Sequence, residues 1–315
     1  LALRQVKDYM TLVLKGIAMG GADVIPGVSG GTIAFITGIY EELINSIKSV
    51  DVEAFRLLLS FKLAAFWKHI NGAFLISVLG GILISILSLA RLVTYLMVNH
   101  PIQLWSFFFG LIIISALMVA KEIKQWNIAS VSALIAGVLM AYLITSATPA
   151  TTPEGLLFVC LSGMIAICAM ILPGISGSFI LLILGKYQYV LGAVKDFDIV
   201  VIVVFAIGCL VGILSFARLI SWLLKQYPLI TISILVGFMI GSLNKIWPWR
   251  LVTQYRLNSK GEQVPFLEDN VLPAEYLAAT GQEPMFMQAL LFFALGIGLV
   301  VLIDKIASST KKPAT

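Results

Sequence analysis

Two stretches of this chain break a helix in the same way, in the middle of sequence that otherwise reads as membrane spans. They are "VIPGVSGGT" at 24–32 and "ILPGISGSF" at 171–179. Proline removes a backbone donor and glycine weakens a helix, so each Pro-Gly-x-Ser-Gly run must interrupt one. In lipid an interrupted backbone survives only where protein or a wet cavity satisfies its amides and carbonyls. With a shift of 147 and no gap, the stretches from 24 and from 171 overlay at Pro26/Pro173, Gly27/Gly174, Ser29/Ser176 and Gly30/Gly177. The match continues through Gly38/Gly185, Tyr40/Tyr187, Lys48/Lys195 and Asp51/Asp198. Two equivalent breaks are therefore a design feature of the fold.

The surrounding composition sets the solvent. Of 315 residues 60% are hydrophobic and 12% charged, about half the charged share of a soluble domain. The pattern predicts an all-α polytopic membrane protein. Six full spans are expected at about 70–90, 102–120, 127–146, 199–217, 229–245 and 287–304. Around them lie two broken segments, 9–47 and 155–194. Their arms of roughly 14–18 residues, about 21–27 Å of helix, fall mostly short of a ~30 Å core. Each is expected to be a re-entrant hairpin. The start, "LALRQVKDYM", lacks the features of a cleavable signal peptide. Cys160, Cys168 and Cys209 lie in apolar segments without metal or redox spacing and read as buried free thiols.

Basic residues predict orientation. With the N-terminus inside, fourteen Lys and Arg face inward: three in the N-terminal part, four in 48–69, two in 121–126, two in 218–228 and three at the C-terminus. Seven face outward, four of them along 245–286. Both termini are expected in the cytoplasm, and the net charge of +5 then needs no nucleic acid partner.

A second overlay, at a shift of 127, joins "SLARLVTYLMVNHP" (88–101) to "SFARLISWLLKQYP" (215–228), with Gly110/Gly237 and Ser115/Ser242 following. The drop from 147 to 127 marks a 20-residue insertion in the first half. It corresponds to the basic, amphipathic segment 51–69, expected on the inner membrane surface. Each half is then a hairpin plus three spans, 1–147 and 148–315. Three is odd, so the second half enters the membrane upside down. Such an inverted-topology repeat with broken helices is a transporter architecture, with its site at the repeat interface. The stretch 246–286 reads as a small external cap. It holds a hairpin about Asn258-Ser259-Lys260-Gly261 and a helix in "PAEYLAATG", with Trp247, Trp249 and Tyr255 at the interface.

Ser29 and Ser176 are placed to cap the arms that follow, and the glycines let a ligand approach the backbone. The two tips are expected to converge as anion cradles suited to phosphate, formed by Gly27, Ser29, Gly30, Gly31 and Thr32 with Gly174, Ser176, Gly177 and Ser178. The bland alternative for a single break is a packing kink. Arg91 and Arg218, each inside a span, are expected to contact the phosphate, with snorkelling to the interface as the alternative. Asp23 is a candidate for proton or sodium coupling, or for pairing with Lys15. Glu41 is a second coupling candidate or a solvated end charge.

Enzymatic readings fail on residue types. "GVSGG" matches a nucleophile elbow only formally: His69 and His100 lie in or beside loops, and the second copy has Ser178 in place of the last glycine. No nucleotide-binding loop and no paired metal-ligand set is present, so neither cofactor nor metal is expected.

The opening "GGADVIPGVSGGTIAFITGIYEELINSIKS", with the later "LPGISGS", resembles the bacterial undecaprenyl phosphate translocase family, long described as a domain of unknown function. The resemblance covers most of the chain. It implies a flippase of the cytoplasmic membrane that returns the lipid carrier undecaprenyl phosphate from the outer to the inner leaflet for envelope polymers such as peptidoglycan. The residues alone leave two rivals open: an ion or small-anion channel or transporter using the same cradles, and a non-transporting scaffold. Oligomeric state and coupling ion stay open.

Overall fold

The computed structural model describes residues 4–24, 29–148, 152–153, 155–257 and 263–310. Six helical segments are long and apolar enough to cross a membrane. They are α6 (Gly72–Asn99), α7 (Pro101–Ala120), α8 (Ile128–Thr145), α12 (Ile199–Gln226), α13 (Pro228–Gly241) with its 3-10 turn Ser242–Ile246, and α15 (Phe286–Thr310). The six expected spans fall on these six. Helices α6 and α12 run further than expected, 28 residues each, or about 42 Å. Each is followed by a single linking residue, His100 or Tyr227, and then by a proline, Pro101 or Pro228, that opens the next helix. Proline fits there because a first-turn amide has no intrahelical partner.

The first broken segment comprises α1 (Val6–Asp23), α2 (Gly30–Ile36) and α3 (Tyr40–Lys48). The second comprises α9 (Leu156–Ile171), α10 (Gly177–Ile183) and α11 (Tyr187–Lys195). Their first arms are single helices, but the second arms are not. Gly38 and Gly185 take φ of 70° and 65°, the left-handed region where glycine carries no steric penalty, and stop α2 and α10 after seven residues. The chain then turns, by 107° between α10 and α11.

Helices pair where glycine lets backbones touch, the usual device when lipid offers no hydrophobic drive. Helix α1 packs on α6, with Gly16 against the backbone of Val78 and Gly81 against Val13. Helix α9 packs on α12 in the same manner, with Gly163 against Phe205 and Gly208 against Cys160. The other tight pairs, α7 with α15 and α8 with α13, join the first part of the chain to the second. They use Gly110, Gly296, Gly137 and Gly237. The three cysteines are half-buried free thiols rather than fully buried ones. Cys168 and Cys209 donate to the Gly212 and Gly163 carbonyls at 3.5 Å.

The 51–69 segment forms α4 (Val52–Leu59) and α5 (Leu63–His69), with Phe55, Leu59 and Phe61 exposed. The expected cap holds an antiparallel hairpin, β1 (Arg250–Leu257) and β2 (Gln263–Asn270), then α14 (Pro273–Thr280) stopped by Gly281. The turn about Asn258–Gly261 lies outside the described residues. Trp247 and Trp249 turn inward, donating to the Val271 and Pro284 carbonyls at 2.8 Å, while Tyr255 is exposed.

Candidate functional site

The first tip is capped as its sequence demands. Ser29 is extended, with φ −123° and ψ 134°, and its Oγ accepts from the Gly31 amide at 3.1 Å. The same hydroxyl donates to the Met170 carbonyl at 2.9 Å, which belongs to the last turn of α9 in the other hairpin. Thr32 makes the reciprocal link, its Oγ1 accepting from the Gly174 amide at 2.9 Å. The tips therefore meet directly, through two hydrogen bonds between fully buried side chains and the opposite backbone.

Close approach explains the glycines. A Cβ on Gly31 would stand 2.6 Å from the Ile171 carbonyl oxygen. One on Gly174, at φ +91°, would stand 2.6 Å from Ser242 Oγ and 3.0 Å from the Phe238 carbonyl oxygen. Gly177 packs against Ala166 in the same way. Gly30 donates its amide to Asp23 Oδ1 at 2.6 Å, so a carboxylate already takes the first amide of α2. Gly27 lies outside the described residues.

The second tip departs from the first. Ser176 occupies the N-cap position of α10 but makes no side-chain bond to an amide there. Its Oγ lies 2.8 Å from Ser178 Oγ. Ser178 stands where the first copy has Gly31, and its hydroxyl supplies the partner that a glycine cannot. The expected cap at Ser176 is thus replaced by a serine–serine pair.

Lysines secure the bends in the second arms. Lys15 Nζ donates to the Thr37 carbonyl at 2.7 Å. Lys186, 2% exposed, donates to the Thr152 carbonyl at 3.1 Å and lies 5.2 Å from the Tyr189 ring centroid. Glu41 is exposed in the first turn of α3. Its neighbour Glu42 is the anchored one, held by Arg4 at 2.7 and 2.5 Å and by Asn71 at 2.8 Å. Arg91 and Arg218 each stand nineteen residues after the first residue of their helices, Gly72 and Ile199. Both are exposed, and among the described residues no hydrogen bond or ion pair joins either to a tip.

Beside the tips run two adjoining apolar clefts between α1, α2, α6, α7 and α15. One, of about 330 Å³, includes Ala22, Ile33 and Val300. The other, of about 530 Å³, reaches His100 and Gln103. They share Val93, Phe107 and Phe108, so an apolar path leads from the tip residues toward the end of α6. The cross-tip bonds and this path are what sequence reasoning missed. The overlay exposed the tips as equivalent, but a contact 142 residues apart leaves no periodic trace.

Comparison with known proteins bears on this arrangement. A family model described as undecaprenyl phosphate translocase-like matches residues 19–264. A polyprenyl-phosphate transporter of Vibrio cholerae is 48% identical over 300 residues, 95% of this chain and 97% of the relative. A protein of the same name from Staphylococcus aureus is 32% identical over 255 residues, 75% and 85% of the two chains. No solved structure matches. A family match through both tips, and relatives similar over most of their length, assign this predominantly helical membrane protein to the undecaprenyl phosphate translocase-like family of transporters.

Proposed function

We propose that the protein moves undecaprenyl phosphate across the bacterial cytoplasmic membrane, from the outer to the inner leaflet, by alternating access. The observation that carries this reading is the meeting of two polar tips in a buried centre beside an apolar path. A phosphate cannot enter hydrocarbon unaided, while a polyprenyl tail has no need to leave it. The tips, Gly27 to Thr32 and Gly174 to Ser178, receive the phosphate on backbone amides and hydroxyls once their mutual bonds open. The tail follows the clefts lined by Val93 and Phe107. Arg91 and Arg218, on the outward faces of α6 and α12, meet the headgroup as it passes between leaflet and tips.

The equivalent tips and the matched pairs α1–α6 and α9–α12 support an inverted repeat with halves 1–147 and 148–315. Both termini then lie in the cytoplasm, and 246–286 lies outside. Asp23 supplies the coupling logic. Its carboxylate and a phosphate compete for the Gly30 amide and repel each other, so a proton or sodium ion on Asp23 favours substrate entry. Glu41, exposed at the start of α3, is the second coupling candidate.

The test is leaflet accessibility of a polyprenyl phosphate in proteoliposomes, with proton and sodium gradients imposed separately. The wild type is expected to speed exchange under one gradient, and Arg91→Ala/Arg218→Ala to slow it while remaining folded. Full transport by the double variant removes the arginines from the site. Flux of a soluble anion without any polyprenyl phosphate replaces this reading with an anion transporter.

A further inference from the structure

A polar cavity, of about 470 Å³, lies over the second tip. It is bounded by the end of α8, by α10, by the 3-10 turn after α13 and by the β-hairpin, and its walls carry Ser146, Thr148, Thr253 and Asn270. At ~30 Å³ per water, it has room for about fifteen waters or for a hydrated anion. Two cations face it, in different circumstances. The Arg250 guanidinium is satisfied: it bonds Glu268 at 2.6 Å and stacks 4.3 Å from the Trp105 ring centroid. Lys245 is not. Its ammonium lies 4.8 Å from the Phe179 ring centroid; among the described residues no ion pair or hydrogen bond holds it, and Glu268, already bonded to Arg250, acts on it only from a distance.

An ammonium at the end of an apolar span is costly without a counter-charge, and an aromatic face offsets only part of that cost. The remaining carboxylate at the cavity, Asp269, is exposed, where solvent screens it. The position is also asymmetric. The overlay that pairs Ser115 with Ser242 puts Met118 opposite Lys245, so the equivalent place in the first half has no charge. The cavity adjoins the tip through two contacts of the 3-10 turn: Lys245 on Phe179, three residues after Ser176, and Ser242 against Gly174.

We propose that this cavity is a phosphate-binding vestibule, with Lys245 as the charged contact that receives a phosphate group before it reaches the tips. The phosphate chemistry rests on the cavity alone. Its assignment to a polyprenyl phosphate headgroup arriving from the outer leaflet rests on the function proposed above.

Binding of farnesyl phosphate and of inorganic phosphate to the full chain in nanodiscs tests it, with Lys245→Met and Lys245→Arg compared. Losing one charge-assisted contact should weaken binding about tenfold in Lys245→Met, while Lys245→Arg stays near wild type. Lys245-dependent binding of both probes supports the vestibule and its lipid source. Lys245-dependent binding of inorganic phosphate alone supports the vestibule and overturns the polyprenyl reading. Equal binding by wild type and Lys245→Met overturns the vestibule and leaves that reading standing; binding of neither probe overturns both. Should Lys245→Met fail to fold, amine labelling of Lys245 in the wild type decides. Phosphate, but not chloride of equal ionic strength, must slow the labelling; equal rates overturn the proposal.

Discussion

At the residue scale, the hydrogen bond from the Gly174 amide to Thr32 is the most exposed to test. Thr32→Val keeps the shape of the side chain but removes the acceptor, leaving a buried amide unpaired at about 1–3 kcal/mol. Thr32→Ser retains the oxygen. Thermal unfolding in detergent should show Thr32→Val melting clearly below wild type and Thr32→Ser close to it; equal melting of all three means the tips are held by something else. Legibility at this scale follows the range of each interaction. The Ser29 cap spans two residues, and the local motif specifies it. The Thr32–Gly174 bond spans 142, and residue 179 in the second copy is Phe, so no matched polar pair announced it. Ser176 shows the converse: a matching motif, Pro-Gly-Ile-Ser-Gly against Pro-Gly-Val-Ser-Gly in the first copy, turns its serine elsewhere because the next side chain is Ser178 and not a hydrogen.

At the element scale, hydropathy located the six spans because each needs about twenty apolar residues and little else. The bends at Gly38 and Gly185 were visible as matched glycines, yet nothing local distinguishes a glycine inside an arm from one that ends it. The matched Asp51 and Asp198 carry a clearer rule, since both cap the helix that follows. Asp198 accepts from the Val200 and Val201 amides at 3.1 Å at the start of α12, and Asp51 from the Ala54 amide at 2.9 Å at the start of α4. The insertion thus separates a cap from the long helix that its counterpart serves. The Ala54 amide, aided by His69 at 3.0 Å, holds the Asp51 carboxyl below its ordinary value of 3.8, against a smaller opposing effect of burial. A depressed carboxyl stabilises the fold above its unfolded value and loses that contribution as pH falls through the folded one. Amide-exchange protection of Ala54–Leu59 should therefore hold from neutral pH down to the ordinary aspartate range and decline only below it. Asp51→Asn, which still caps, should remove that decline, and Asp51→Ala should lower protection already at neutral pH. Unchanged protection in Asp51→Ala at neutral pH rules out the cap as the source.

At the scale of the whole molecule, the glycine seams decide which parts can move together. The sequence overlays suggest two halves rocking against each other, but α7–α15 and α8–α13 lock the halves through backbone-close contacts. No overlay within a half reveals such pairs, because their glycines sit in different halves. On the proposed cycle the moving units are instead α1–α3 with α6, and α9–α11 with α12, each closed by its own glycine seam and each carrying one tip, although α3 also packs on α12. These two units separate on one side of the membrane at a time while the interlocked four-helix body stays fixed. A contact between the units away from the tips follows this motion. Ser221 on α12 donates to Asn45 Oδ1 on α3 at 3.0 Å, and Lys48 on α3 reaches Ser221 Oγ at 3.2 Å. Asn45→Cys/Ser221→Cys, with Cys160, Cys168 and Cys209 replaced, places two thiols across that boundary. Oxidation should halt polyprenyl phosphate exchange in proteoliposomes and reduction should restore it, while each single variant transports under both conditions. A fully cross-linked protein that transports at the reduced rate would show that α3 and α12 travel as one body, and the division into two tip-bearing units would have to be redrawn.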